Sequence, residues 1–285
     1  MPELPEVETI LQGLKEGSSN TPPLIGQVIS GFSLFWAKTL ATPDSATFRG
    51  FMRNRRILEI SRRGKFLVLH LDQEYLLFHL RMSGDLSMQT GLGEPRESLP
   101  NSPHDRLYLH FASGWGLVFN DTRKFGRVWL TSDPASVFGR LGPEPLDTAL
   151  DAAAFHALLH RQSRQIKPLL LDQNFLAGLG NIYTDEALFD ARLHPLRLSS
   201  TLSTEESSAL LYSIRKILNL GIENNGASID WVYRGGDFQN HFQVYQQTGN
   251  PCPRCGHPIQ KMKVGQRGTH FCPVCQPETR ITDVR

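Results

Sequence analysis

Four cysteines occur in the chain, Cys252 and Cys255 in CPRC and Cys272 and Cys275 in CPVC. Their pattern is C-x2-C-x16-C-x2-C. Each pair puts two thiolates on one tight turn, and two such turns complete a tetrahedral set for one zinc ion. Four thiolates leave no position for water, so the zinc is expected to be structural. Gly249 and Gly256 beside the first pair suit its turn. Two disulfides or a redox Cys-x-x-Cys pair are the competing readings. Both fit the spacing poorly, and the opening MPELPEVETI lacks the basic start and apolar stretch of a secretory leader.

A second chemistry lies at the other end. Removal of Met1 would leave Pro2 as a secondary α-amine. An α-amine has a pKa of about 7.7–8.0 against about 10.4 for lysine, so roughly a tenth of it is neutral at pH 7. Such an amine attacking a sugar C1′ or an aldehyde gives an iminium, an electron sink. Glu3 is adjacent, and Glu6 and Glu8 follow. A carboxyl there could protonate a departing group or an opening sugar ring. The same acids also suit an ordinary helix start, where they complement the dipole. Taken alone, they favour that plainer reading.

The elements that must position these groups read as follows. At about 150 residues per domain, 285 residues imply about two domains. With 40% hydrophobic and 20% charged residues the composition is globular. No apolar run approaches the ~18 residues of a membrane span, so no membrane partner is expected. The net charge of +2 says little about partners. Arg49, Arg53, Arg55, Arg56, Arg62, Arg63 and Lys65 fall in one stretch, which reads as a solvated face or a phosphate-facing patch. Residues 4–17 show a helical face of Val7, Ile10, Leu11 and Leu14. Short apolar runs at 57–60, 65–71, 75–80, 106–111, 115–120 and 128–130 read as strands. Turn signals at Asp72-Gln73 and Ser113-Gly114 suggest meander connections in an antiparallel sandwich. Residues 89–105 read as a polar loop. A break at 132–145 precedes helical patterns around Phe155, Leu169–Leu171, Ala187–Leu193 and Leu210–Leu220. Residues 226–246 look irregular. The expected fold is α+β: an N-terminal antiparallel β-sandwich flanked by helices (2–133), a helical domain (145–225), a loop region (226–246) and a C-terminal β-hairpin zinc finger (247–277).

Several blocks carry a resemblance. PELPEVET, HLRMSG (79–84), DTRKFG (121–126), IKPLLLDQ (166–173), GLGNIYTDE (178–186) and GQRGTHFCPVCQ (265–276) occur in the order seen in the formamidopyrimidine-DNA glycosylases. This base-excision repair family is related to endonuclease VIII. The chain resembles it over nearly its whole length. The resemblance implies Pro2 as the Schiff-base nucleophile, Glu3 as the general acid and Glu6 as support for the site. It implies Lys65 as a phosphate contact that donates a proton in β-elimination. Met82, Arg123 and Phe125 match the side chains that fill the void left by an extruded nucleotide, a task suited to an adaptable, a hydrogen-bonding and a wedging side chain. The chain has DTRKFG where the family more often has DPRRFG, which keeps the charges and the wedge but loses a proline-fixed turn. His104, Lys167 and Asn181 match phosphate contacts. The GLGN turn falls in the helix-two-turn-helix, where Gly178 and Gly180 would permit close approach and positive φ. Arg267, between the cysteine pairs, matches the finger arginine linked to δ-elimination. Residues 226–240 correspond to the loop over the extruded base, and Asp230 stands where many relatives are basic.

The resemblance therefore implies a bifunctional DNA glycosylase and abasic-site lyase. It would remove 8-oxoguanine and formamidopyrimidines from double-stranded DNA and cut the strand by β,δ-elimination. The implied setting is the cytoplasm, at the nucleoid, with the chain acting as a monomer. Two other readings stay open on sequence grounds. One is an endonuclease VIII-type enzyme for oxidised pyrimidines, whose opening is usually PEGPE. The other is a catalytically inert binder of damaged DNA.

Overall fold

In the computed structural model, residues 1–95, 99–228 and 235–278 are described. The chain forms two compact units. The first comprises Met1–Gly139 with Ala227, Ser228, Gly235 and Gly236; the second holds Arg140–Gly226 and the chain from Asp237 onward.

The first unit opens with α1 (Leu4–Glu16). Its apolar face (Leu4, Val7, Ile10, Leu11, Leu14) is buried, as the i, i+3, i+4 spacing requires. Next come β1 (Ile29–Leu34), β2 (Leu40–Thr42), α2 (Ser45–Met52), β3 (Ile57–Arg63), β4 (Phe66–Leu71), β5 (Tyr75–His79) and β6 (Gly84–Thr90). The unit continues with β7 (Asp105–Phe111), β8 (Trp115–Asp121), β9 (Arg127–Thr131) and α3 (Pro134–Phe138). Two sheets result, of order β1-β7-β8-β6 and β2-β9-β5-β4-β3. One core lies between them, shared by Leu67, Leu69 and Phe78 of one sheet, Leu86, Leu109 and Phe119 of the other, and Ile10 and Leu14 of α1. The sandwich expected from the alternating runs is therefore present.

Its wiring departs from a plain meander. The chain changes sheet between β1 and β2, between β5 and β6 and again between β8 and β9, and β2 runs parallel to β9. Three strands lay outside the expected set. β1 contains a helix- and strand-weakening Gly31 and a register shift. β2 spans only three residues. β6 (GDLSMQT) has few β-branched residues and is held by its ladder to β8. It absorbs Gln89 and Thr90 from the expected polar loop, and β7 absorbs Asp105. α2 and α3 were also unexpected. Each is too short for a periodic signal, and each is set by an aspartate cap: Asp44 Oδ1 accepts from the Ala46 and Thr47 amides, and Asp133 accepts from the Ala135 amide. α3 lies inside the stretch expected to break all regular structure.

The second unit holds α4 (Ala152–His160), α5 (Ile166–Leu171), α6 (Asn181–Asp190), α7 (Thr204–Glu223) and the hairpin β10 (Gln260–Val264)–β11 (Arg267–Phe271). The helical stretches stand where the periodicity put them, except that Leu193 lies beyond the end of α6. α7 starts with a full capping box between Ser203 and Glu206. No described helix is long and apolar enough to cross a membrane.

Candidate active site and metal centre

The start of α1 is a buried, hydrogen-bonded corner. Pro2 is buried, and Glu3 and Glu6 are 3% and 2% exposed. The Glu3 amide donates to Glu6 Oε2 at 2.7 Å, and the Glu3 side chain takes the Glu6 amide in return. This reciprocal cap fixes the residue after Pro2 at the positive end of the helix. Glu6 Oε1 also accepts from the Ala227 amide at 2.8 Å. One carboxylate thus ties the N-terminus to the first residues of the 227–236 segment. The base of that segment is closed by Ser228, whose hydroxyl donates to the Gly236 carbonyl and accepts from the Gly236 amide, both at 2.9 Å. Asp230, and the rest of 229–234, lie outside the described residues.

Lys65 is 5% exposed, in the tight connection between β3 and β4. Gly64, at φ 57°, makes that turn. The turn is tied to α1: Arg62 Nε donates to Glu8 Oε2 at 2.7 Å, and Arg62 Nη1 to the Gly64 carbonyl at 3.0 Å. His79, which the sequence reading passed over, faces the same corner. It pairs with Phe66 across β4–β5 and packs edge-on against that ring at 4.6 Å. Burial, followed by the charges of Arg81 and Lys65, pushes its ring down to about 3. The Arg81 amide donates to Nδ1 at 3.0 Å, so the neutral ring carries its proton on Nε2. A lone strand-end histidine has no spacing signal, so only the fold could single it out.

The Arg49–Arg63 run is largely absorbed by local structure. Arg55 faces Asp72 at 3.4 Å and Glu74 at 3.7 Å, Arg56 donates to the Gly26 carbonyl, and Arg49 lies over the Phe32 ring. Arg49, Arg53 and Arg56 of that run are exposed, as a solvated face requires, while Lys65, its last member, is buried.

Met82, half-buried, lies in the turn from β5 to β6, while Arg123 and Phe125, both exposed, lie in the turn from β8 to β9. β6 and β8 are ladder partners and Gly84 pairs with Asp121, so these two turns emerge side by side. The Arg123 guanidinium sits 5.2 Å from the Phe125 ring centroid. His104 is exposed in the segment before β7, and its carbonyl accepts from the Asp121 amide at 2.8 Å.

In the second unit the expectation for Lys167 fails. Lys167 is 0% exposed. Its ammonium lies 2.5 Å from Asp185 Oδ1 and donates to the Gly268 carbonyl at 3.0 Å. A cation so enclosed, held by Asp185 and the Gly268 carbonyl, is closed to a phosphate; it is a structural tie between α5, α6 and the hairpin. Asn181, at the first position of α6, is half-buried, and its Nδ2 also donates to the Gly268 carbonyl at 3.0 Å. Its Oδ1 has no protein partner. The turn before it uses positive φ only at Gly178 (103°); Gly180, at φ −133°, is extended and caps α6. Asp185 takes the His270 amide at 2.9 Å, and Glu186 takes the Gln243, Val244 and Tyr245 amides at 2.8–3.0 Å. Sequence reading missed both acids, because nothing local marks a helical carboxylate as buried.

The four cysteine sulfurs lie within 4.8 Å of one another. Cys255 and Cys272 sulfurs lie 3.5 Å apart, and those of Cys252 and Cys275 3.8 Å. Disulfide sulfurs stand about 2.05 Å apart, so those pairings are excluded. Four sulfurs about 2.3 Å from a central zinc stand about 3.8 Å apart, as these do. The Arg254 and Cys275 amides point at Cys252 and Cys272 sulfurs, both at 3.4 Å, and favour thiolates. Cys252, Cys255, Cys272 and Cys275 therefore fit one structural zinc. The zinc module is seated on the end of α6 by Arg254, which donates to the Phe189 carbonyl at 2.6 Å, and on the segment after it by Gln276, which donates to the Leu193 carbonyl at 2.9 Å. At its tip Gly265 (53°) and Gln266 (64°) both have positive φ, the geometry of a two-residue hairpin turn. Arg267 follows immediately and is exposed.

Comparison with known proteins matches three successive segments. Residues 1–128 match the formamidopyrimidine-DNA glycosylase N-terminal domain, 141–232 the H2TH domain of the same enzymes, and 249–277 a zinc finger found in FPG and IleRS. A formamidopyrimidine-DNA glycosylase of Protochlamydia amoebophila is 41% identical, over 97% of this chain and 99% of that one. One of Moorella thermoacetica is 44% identical, over 92% and 95%. The Lactococcus lactis FPG mutant G226P, solved with DNA containing Fapy-dG, superposes with a TM-score of 0.86 at 38% identity, covering 97% of this chain and 100% of that one. MutM solved with DNA containing carbocyclic 8-oxo-G gives 0.86 at 37% identity, with the same coverage.

Proposed function

The chain belongs to the formamidopyrimidine-DNA glycosylase family, and from that premise we propose how its own residues perform the family's reaction. It is a DNA glycosylase of base-excision repair that acts on oxidised purines, with abasic-site lyase activity. In our reading the substrate is duplex DNA carrying 8-oxoguanine or a formamidopyrimidine. One chain at a time acts on it, at the nucleoid.

With Met1 removed, the Pro2 amine lies at the start of α1, beside the Glu3 and Glu6 carboxyls. The amine attacks C1′ and the glycosidic bond breaks, its electron pair leaving with the base, which takes up the proton that the alkylated amine sheds. The Glu3 carboxyl protonates the ring oxygen, the sugar opens, and an iminium links Pro2 to C1′. That electron sink acidifies the C2′ proton, so loss of the 3′ phosphate follows; a second elimination releases the 5′ phosphate. Lys65 and Arg267 each offer a cation to a leaving phosphate. Asn181 offers Oδ1 and its backbone at the start of α6, and His104 its exposed ring. Met82, Arg123 and Phe125 occupy the space left by the extruded nucleotide. When bound, zinc holds the hairpin that carries Arg267.

The observation that carries this reading is the wiring of the α1 start. Glu3 and Glu6 cap each other beside Pro2, and Glu6 reaches the 227–236 segment that, by resemblance, covers the base. The test is borohydride trapping of the untagged protein on a duplex with a single 8-oxoguanine opposite cytosine. A covalent adduct mapping to Pro2 is expected. An adduct only on an oxidised-pyrimidine duplex would reassign the substrate. Tight binding with no adduct on either duplex would leave a damage binder.

A further inference from the structure

We propose that Asp121 is a positioning residue for lesion extrusion, acting as a clamp that makes the Met82 and Arg123–Phe125 turns one preorganised unit. The proposal rests on the reading that these side chains fill the space left by the extruded nucleotide. Asp121 is 1% exposed and closes β8. Its carboxylate spends both oxygens on the two turns. Oδ1 accepts from the hydroxyl of Ser83, the neighbour of Met82, in a short hydrogen bond, and from the Arg123 amide at 3.2 Å. Oδ2 accepts from the Gly126 amide at 2.7 Å. Ser83, itself 3% exposed, closes the loop by accepting from the same Arg123 amide at 2.9 Å.

The backbone of Asp121 reaches a third segment. Its amide donates to the His104 carbonyl at 2.8 Å, and its carbonyl accepts from Arg106 Nε at 2.7 Å. So Asp121 touches every segment of the first unit that presents a side chain assigned here to the space around the lesion, apart from the catalytic corner.

The turns also have little slack. A Cβ on Gly84 would lie 2.6 Å from the Leu80 carbonyl, and one on Gly126 would strike the Phe119 ring. Arg81 and Lys124, at φ 55° and 62°, hold left-handed backbone that side chains rarely adopt. A buried carboxylate accepting several N–H and O–H groups can hold such a conformation. Unstacking a base costs a few kcal/mol, and a wedge already in place pays no ordering cost when it enters. Asp121 itself offers no free donor to DNA.

Asp121→Asn and Ser83→Ala test this in the full chain. The asparagine keeps the shape but turns an NH2 toward one of the donors, so one turn loses its acceptor. Two substrates separate the roles: a duplex with 8-oxoguanine opposite cytosine, and a single-stranded oligonucleotide with one abasic site, which has no stack to refill. Single-turnover excision from the duplex is expected to fall about tenfold or more in D121N, while lyase activity on the single strand stays within about twofold. In a Phe125→Ala background, D121N is expected to add less than about twofold, because the wedge it positions is gone. Ser83→Ala removes one hydroxyl, shows a smaller loss in the same pattern, and carries the test if D121N melts below the assay temperature. Equal losses on both substrates, or full additivity with F125A, would make Asp121 merely structural and overturn the proposal. Wild-type excision with unaltered D121N overturns the clamp alone. A wild-type chain that leaves the lesion intact overturns the functional reading, and the clamp with it.

Discussion

Replacing Lys167 by methionine is expected to behave as a folding lesion and not as a lost phosphate contact. The ammonium is fully buried, 2.5 Å from Asp185 Oδ1 and 3.0 Å from the Gly268 carbonyl. Removing one partner of a buried pair leaves the other uncompensated, at a cost of about 3–5 kcal/mol. At about 2–4 °C per kcal/mol, melting of the second unit should fall by about 6–20 °C. The double variant Lys167→Met/Asp185→Asn should recover part of that loss, because no charge is left stranded. DNA binding gives the second readout. Each phosphate contact contributes about 0.9 to the slope of log affinity against log salt. Well below the melting point, K167M should keep the wild-type slope, while Arg267→Ala should lose about 0.9. Calorimetry and a fluorescence-anisotropy salt titration measure both. A K167M slope lower by about one, with an unshifted melting temperature, would refute the burial argument and restore Lys167 as a phosphate ligand.

Glu6→Gln should leave the amide of Glu3 or Ala227 facing an NH2 group, at a cost of about 1–3 kcal/mol. We expect borohydride trapping to slow about tenfold; an unchanged trapping rate would mean the cap does not position Pro2. Stripping zinc from the four cysteines should release the hairpin and weaken duplex binding, with circular dichroism loss confined to a minor part of the signal. Full affinity after metal analysis confirms depletion would contradict the role of Arg267. Burial pushes Glu186 up to about 7, outweighing its backbone hydrogen bonds. A raised acid binds a proton in the folded state that the unfolded chain has released. Its contribution to stability is complete below about 4.5 and is lost as pH rises toward 7. The melting temperature of wild type relative to Glu186→Gln should therefore fall from pH 5 to pH 7; a flat difference would mean Glu186 is ionised throughout.

The zinc site and the α1 face were legible because each is a local pattern. Ligand spacing along the chain sets which thiolates share a turn, and a 3.6-residue period sets which side chains share a face. The strands with strong alternation were legible for the same reason, as were α4–α7. Weak elements escaped. β6 exists because β8 pairs with it, and α2 and α3 because aspartates cap them. The order of blocks along the chain was enough to place it in its family. It was not enough to give Lys167 its role, since a lysine in IKPLLLDQ reads the same whether its ammonium meets solvent or Asp185.

What sequence alone determined, then, were the properties carried by neighbours in the chain: four thiolates on two turns, a proline and a carboxyl at a helix start, the sandwich class, and the succession of family blocks. What only tertiary structure decided were the relations between residues far apart in number. Glu6 meets Ala227, Asp121 joins Ser83 to Arg123 and Gly126, and Gly268 takes donors from Lys167 and Asn181. The physical reason is that a buried polar group must find a partner wherever packing places one. Packing is settled by the whole core, not by the local run of side chains.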